Sequence, residues 1–292
     1  MKRWLVAGLA LFAPFCASAS VAVVSQMSEV NSEVAKIAKT VSPRDIWVVY
    51  DIDMTLTKPE HPAVELANLQ CHHQVLGEIF ANTTREQKEL AKYLAVGLYP
   101  GATTEKKTAK YVKNLQKLGV VSFALTSAKS GNITLRDSTK PIYEIRPQEL
   151  NALGIHFGGA FPFETLFLKK FPADGGSFPT YNQGVICSNE KPKGAVLCAF
   201  MDEIKATPKV IVMVDDRLHN LQETRKALRA RYPKVRFVAF EYTGATRDPK
   251  SIKEISADEF RAFWEPIAVQ AKKNCPAPQP PRHAGKSFAP IR

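Results

Sequence analysis

The chain has 292 residues, 45 % of them apolar, enough to bury the core of one substantial α/β domain with an insertion, or of two small domains. Its formal charge of +12 favours anionic partners. The basic residues are scattered, with no basic arm or helix stripe, which argues against specific nucleic-acid binding. No internal repeat and no G-x-S-x-G, P-loop or G-x-G-x-x-G run is present, so solenoid, serine-hydrolase and nucleotide-fold readings lack support.

Residues 1–19 read as a signal peptide. Lys2 and Arg3 precede the apolar run Trp4 to Phe15, and Ala17-Ser18-Ala19 supplies an A-x-A cleavage signal. Cys16 invites a lipoprotein reading, but Phe15 stands where a small residue is expected, so cleavage is expected after Ala19. The 40 basic residues then become 38 against 28 acidic ones, a mature charge of +10. No later run approaches the length of a membrane span. The expected location is periplasmic or extracellular, in a bacterium. Four cysteines remain (Cys71, Cys187, Cys198 and Cys275); export permits disulfides, and spacing does not choose among pairings.

Residues 20–40 predict a short amphipathic helix, with Val30, Val34, Ile37 and Val41 near helical spacing. Ile46 to Tyr50 predicts a strand buried on both faces, as in a parallel sheet. Pro62 to Leu98 is helical in pattern, and Tyr99-Pro100-Gly101 breaks it. Helix 104–118 ends at Gly119, strand 120–125 ends in Thr126-Ser127, and residues 146–153 form a short helix. Residues 156–184 have turn and hairpin composition, with packing over the sheet the expected role of their aromatics. Then follow strand 185–187, helix 194–204, strand 209–214, helix 218–231, strand 235–240 and helix 257–272. The tail 273–292, rich in proline and basic residues from Pro276, is expected to be disordered. Strands alternating with helices imply a Rossmann-like α/β fold, a parallel sheet covered on both faces, where ligands bind beyond the carboxyl ends of the strands.

The chemistry-bearing residues fall at those ends. Asp51-Ile52-Asp53 follows the first buried strand. Paired carboxylates there are costly unless a positive group compensates, and a divalent cation does so readily. One of the two can serve as nucleophile and metal ligand, the other as acid and base. An isolated D-x-D is more often a capped turn. Here, however, Thr126 ends the second strand, Asp215-Asp216 ends a later one, and Lys193 stands at a helix N-terminus where an anion is favoured. Lys191 is the competing lysine; Lys193 is preferred because Gly194 follows it. Cys71-His72-His73 fans around a helix and is not expected to bind metal. His219 is as consistent with helix surface as with the site.

Val48 to Leu56 resembles the first motif of the haloacid dehalogenase superfamily. Phe123-Ala124-Leu125-Thr126 resembles its second motif, Lys193 its third, and Val212 to Asp216 its fourth. The resemblance runs from about Ile46 to Phe240. The chain is also similar to a set of exported bacterial proteins of this fold whose function is not characterised. That likeness rests on Asp51 to Leu56, Leu153 to Phe157, Lys193-Gly194, and Asp215-Asp216-Arg217 with Asn220.

The superfamily resemblance implies roles. Asp51 is the nucleophile and Asp53 the acid and base. Thr126 binds phosphoryl oxygens, while Lys193 neutralises them and restrains Asp51. Mg²⁺ is held by the Asp51 carboxylate, the Asp53 backbone carbonyl and Asp215, with Asp216 acting through water. It implies a core of residues 20–57 and 99–272, a helical cap at 58–98 and an irregular insertion at 156–184.

The expected activity is an exported Mg²⁺-dependent phosphohydrolase acting on a phosphorylated small molecule through an aspartyl-phosphate. A catalytically silent binding or host-directed protein of this fold, or a phosphotransferase, are the alternatives. Oligomeric state is not readable.

Overall fold

The computed structural model describes residues 21–98, 101–135, 138–174, 176–245 and 253–275. The signal peptide expected at 1–19 lies outside them, as does the tail from residue 276. The first elements are β1 (Ala22–Val24), α1 (Met27–Ile37), β2 (Ile46–Tyr50) and β3 (Thr57–Lys58). Then come α2 (Leu66–Cys71), α3 (His73–Ile79), α4 (Arg85–Leu98), β4 (Ala102–Thr103), α5 (Thr108–Lys117) and β5 (Val121–Thr126). The middle of the chain forms β6 (Asn132–Leu135), β7 (Ser138–Pro141), α6 (Ile142–Ala152), β8 (Thr165–Phe167), β9 (Thr180–Asn182) and β10 (Val185–Cys187). The last are α7 (Lys193–Ile204), β11 (Val210–Asp215), α8 (Leu218–Arg231), β12 (Arg236–Tyr242) and α9 (Ala257–Asn274).

The α/β reading holds. One eight-stranded sheet runs in the order β1-β12-β11-β2-β5-β10-β9-β8. It is parallel from β1 through β10, and β9 and β8 add antiparallel at one edge. Every residue of β2 is buried. Ile46, Val48 and Tyr50 face one core with α1 and α5, while Trp47 and Val49 face the other with α7 and α8. Period-two side chains on a strand covered from both sides require this continuous apolar run.

Several expectations are corrected. The N-terminal segment is not helix from residue 20. Ala22–Val24 pairs parallel with Phe240–Tyr242, and α1 then buries Met27, Val30, Val34 and Ile37. Within the segment 156–184, expected as an irregular insertion of hairpin composition, β8 and β9 pair antiparallel and extend the main sheet. Gln183 and Gly184, both at positive φ, make the two-residue turn into β10 that matches the twist of antiparallel strands. A Cβ at Gly184 would sit 2.3 Å from Phe157, so only glycine fits. Helix α6 begins at Ile142, four residues before the expected start at 146, and carries Pro147 inside it. The hairpin β6–β7 has no counterpart in the sequence reading.

The chain between β3 and β4 leaves and re-enters the core through one antiparallel pair, Thr57 with Thr103 and Lys58 with Ala102. Its helices form a third cluster. Ala63, Phe80, Ala91, Leu94 and Ala95 pack with Phe260, Phe263, Trp264 and Ile267 of α9. The Trp264 indole donates to the Ala63 carbonyl at 2.9 Å. Helix α9 therefore packs with the cap rather than in either core cluster of the sheet, and it runs to Asn274, past the expected boundary at 272. Among the described residues no helix is long and apolar enough to cross a membrane. Cys71, Cys187, Cys198 and Cys275 are free thiols.

Candidate active site and metal centre

Adjacent parallel strands bring the three acidic or hydroxyl-bearing strand ends together. β2 lies between β11 and β5, with Tyr50 opposite Val214 on one side and Ala124 on the other. The Asp51 amide donates to the Val214 carbonyl at 2.8 Å, so Asp51 leaves the strand beside Asp215. The chain then turns tightly: Leu56 and Thr57 amides both reach back to the Ile52 carbonyl, and Met54 adopts positive φ. That turn projects Asp53 to the same side.

Lys193, at the first turn of α7, closes the centre from below. Its Nζ donates to Asp51 Oδ1 at 2.5 Å and to Asp215 Oδ2 at 2.6 Å, and all three side chains are buried. The other Asp215 oxygen accepts from the Arg217 amide and from Asn220 Nδ2, each at 2.9 Å. Gly194 permits this placement by allowing α7 and α8 to touch. A Cβ there would lie 2.6 Å from Thr224 Cα and 2.9 Å from Ala227 Cβ. Its amide also donates to Glu223 at 2.9 Å.

Above this base opens a cleft of about 310 Å³. Asp51, Asp53, Thr126, Lys193 and Asp216 all line it, and Asp215 lies underneath, bonded through Lys193. Thr126 is buried, accepts from the Ala128 amide at 3.2 Å and lies 3.5 Å from Asp53 Oδ2. Lys191 and His219 do not line the cleft. His72 bonds the Ile255 carbonyl and packs on Phe260. Phe161, Phe163 and Tyr181 pack with Trp47, Phe123 and Phe200, as expected of sheet packing.

Carboxylate oxygens of Asp51, Asp215 and Asp216 lie within 4.8 Å of one another, placed to hold a metal ion. The Asp53 carboxylate is not in that group and pairs with Arg146; the expected ligand there is the Asp53 backbone carbonyl. Burial pushes the Asp51 carboxyl up to about 8; Lys193 opposes this, and Asp215 and Asp53 add to it. Burial and then Asp215 hold Asp216 above the usual carboxylate range. Burial pulls Lys193 down, but Asp51 and Asp215 outweigh it and leave it raised. Three crowded oxygen donors, with Asp51 and Asp216 held above the usual carboxylate range, fit a metal cation, whose charge would favour the ionised forms of those two.

Two groups of residues escape the sequence reading. Arg146 and Glu149 arrive on α6, and Glu89, Lys92 and Tyr93 arrive on α4 of the cap. The Tyr93 hydroxyl accepts from the Lys129 amide at 2.7 Å and so ties the cap to the loop after β5. Arg146 with Glu149 looks in sequence like an ordinary i, i+3 surface pair.

Fold and site together define a parallel-sheet α/β protein whose lysine-bridged acidic cleft can hold a metal ion. The chain belongs to the family described as protein of unknown function (DUF2608), whose profile matches residues 23–269, a span that includes every residue of the cleft. No curated protein matches the chain.

Proposed function

We propose that the protein is a phosphomonoesterase of the haloacid dehalogenase type, with Mg²⁺ as its metal and export as its destination. The observation that carries the reading is Lys193 bridging Asp51 and Asp215 beneath a cleft that also presents Asp53, Thr126 and Asp216. An oxygen nucleophile, an acid beside it, and cationic and hydroxyl donors for phosphoryl oxygens are the parts phosphoryl transfer needs.

Asp51 attacks phosphorus, the bond from phosphorus to the alcohol oxygen breaks, and Asp53 gives that oxygen a proton. Water then attacks the phosphoryl group on Asp51 and yields a proton to Asp53. The bond between phosphorus and Asp51 breaks, phosphate leaves, and both residues return to their starting state. Lys193 holds Asp51 in place, and Thr126 donates to a phosphoryl oxygen in place of its long contact with Asp53. Asp51, Asp215 and Asp216 would hold a magnesium ion, which when bound would supply charge stabilisation for the phosphoryl oxygens.

The test is a screen of phosphorylated metabolites with protein beginning at Ser20 and millimolar Mg²⁺. Phosphate release is expected, silenced by EDTA and restored by Mg²⁺. Asp51→Asn should abolish it while the protein stays folded. Release that survives Asp51→Asn, or a wild type silent on every compound, overturns the proposal; the silent result favours a binding protein on the same fold.

A further inference from the structure

Arg146 is the buried charge that this scheme leaves without a role. It is carried by α6, which packs against β9 and β10 at the flank of the cleft. Its guanidinium forks. One terminal nitrogen donates to Glu149 Oε2 at 2.8 Å, the other to Asp53 Oδ1 at 2.6 Å, and Nε has no partner.

The two branches differ in what they accomplish. Glu149 sits one turn along the same helix, three-quarters hidden, and by itself neutralises the buried arginine. Asp53 is different: its side chain is 56 % exposed, and water could solvate it without help. The second branch therefore adds little to fold stability, since a half-exposed carboxylate gains only modestly from an ion pair. It does remove rotational freedom from Asp53. With Oδ1 pinned, Oδ2 is the oxygen left facing Thr126 and the cleft. A guanidinium suits this better than an ammonium, because its planar fork fixes direction as well as distance.

We propose that Arg146 is a positioning residue that aims Asp53 Oδ2 at the leaving oxygen, and that the site is therefore matched to phosphate monoesters of aliphatic alcohols. The inference rests on the phosphohydrolase reading and extends it to a substrate class. As the bond between phosphorus and the alcohol oxygen breaks, its electron pair stays on that oxygen, and the proton on Asp53 Oδ2 moves there. Arg146 keeps its protons throughout. An aliphatic alkoxide is a strong base and a poor leaving group, so it needs an acid held in place. An aryl or acyl leaving group departs as a stable anion and needs almost none.

The experiment measures kcat/KM with Mg²⁺ on glycerol 2-phosphate, p-nitrophenyl phosphate and acetyl phosphate. It compares wild type, Arg146→Lys, and the double variant Arg146→Met with Glu149→Gln. The double variant leaves no buried carboxylate unpaired on α6, which protects its folding. Both variants should lose about a hundredfold on glycerol 2-phosphate and less than about tenfold on the other two, because only the first step on an aliphatic ester depends on the acid. Equal losses on all three overturn the inference, since a general structural role would not distinguish leaving groups. Crystal structures give a readout independent of turnover. Asp53 should hold one conformer in wild type and several in the double variant; a single unchanged conformer overturns the positioning role. Wild type inactive on all three substrates and throughout the metabolite screen, with Asp53 ordered by Arg146, would overturn the phosphohydrolase reading and with it the substrate class.

Discussion

Lys193 shows what a single residue does when burial leaves it no alternative. It touches Asp51, 142 positions away, and Asp215, 22 positions away, and is itself 2 % exposed. Removing the cation strands two buried carboxylates, whereas removing one carboxylate leaves the other pair intact. Lys193→Met should therefore lose about 3–5 kcal/mol of folding stability in urea titrations without metal. Asp51→Asn should lose little or nothing, because it deletes a carboxyl that burial already penalises. Equal losses in the two variants would mean that Lys193 is not the charge that balances the site. At this scale Asp51, Asp53, Thr126, Lys193, Asp215 and Asp216 are legible in the sequence because each stands at or within three residues of the end of an apolar strand, or at a helix start. Arg146 is not legible. Its partner Asp53 is 93 positions away, and nothing local separates it from a solvated arginine with an i, i+3 glutamate.

Among the elements, those whose burial is symmetrical are the easiest to read. β2, β10 and the apolar part of β11 are continuous apolar runs and β5 is interrupted only by Ser122 before its terminal Thr126, because these strands are buried on both faces, and α8 matches its expected span residue for residue. β1 is hidden because three residues beside an amphipathic helix carry no period of their own; only pairing with β12 makes them a strand. The hairpin β6–β7 fails for a related reason, since Ser138, Thr139 and Lys140 are exposed and show no buried face. Gly194 illustrates a right choice with an incomplete reason. It marks the helix start beside Lys193, but its lack of a Cβ is required by the crossing of α7 on α8. Gly194→Ala should push the two helices apart and cost about 1–3 kcal/mol, as overpacking does. The displacement acts on the residue next to Lys193, so activity should fall together with the melting temperature. A variant of wild-type stability would show that the crossing can give way without strain.

For the molecule as a whole, the two sheet cores and the cap core are separate hydrophobic clusters. The cap's cluster is built from chain segments nearly two hundred positions apart, which is why a reading that follows the chain assigns α9 to the sheet. Helix α4 serves both sides. Ala91, Leu94 and Ala95 are buried against α9, while Glu89, Lys92 and Tyr93 face the cleft. The cap meets the part of the molecule that carries the acidic cleft through the β3–β4 pair and the Tyr93 bond to Lys129. Trp264 is the residue on which this arrangement can be tested, since it fills the cap core and caps the Ala63 carbonyl. Trp264→Ala should cost the cap about 3–5 kcal/mol, the usual range for deleting a buried tryptophan. If the cap is its own cooperative unit, that loss stays local: amides of α4 and α9 should exchange faster with solvent deuterium, while those of β2 and β11 keep wild-type protection. Loosening α4 also withdraws Glu89, Lys92 and Tyr93 from the cleft, so KM for a phosphorylated substrate should rise more than kcat falls. Uniformly faster exchange across cap and sheet would instead show that α9 supports one undivided cooperative structure, and the cap would then owe its position to the whole fold rather than to its own core.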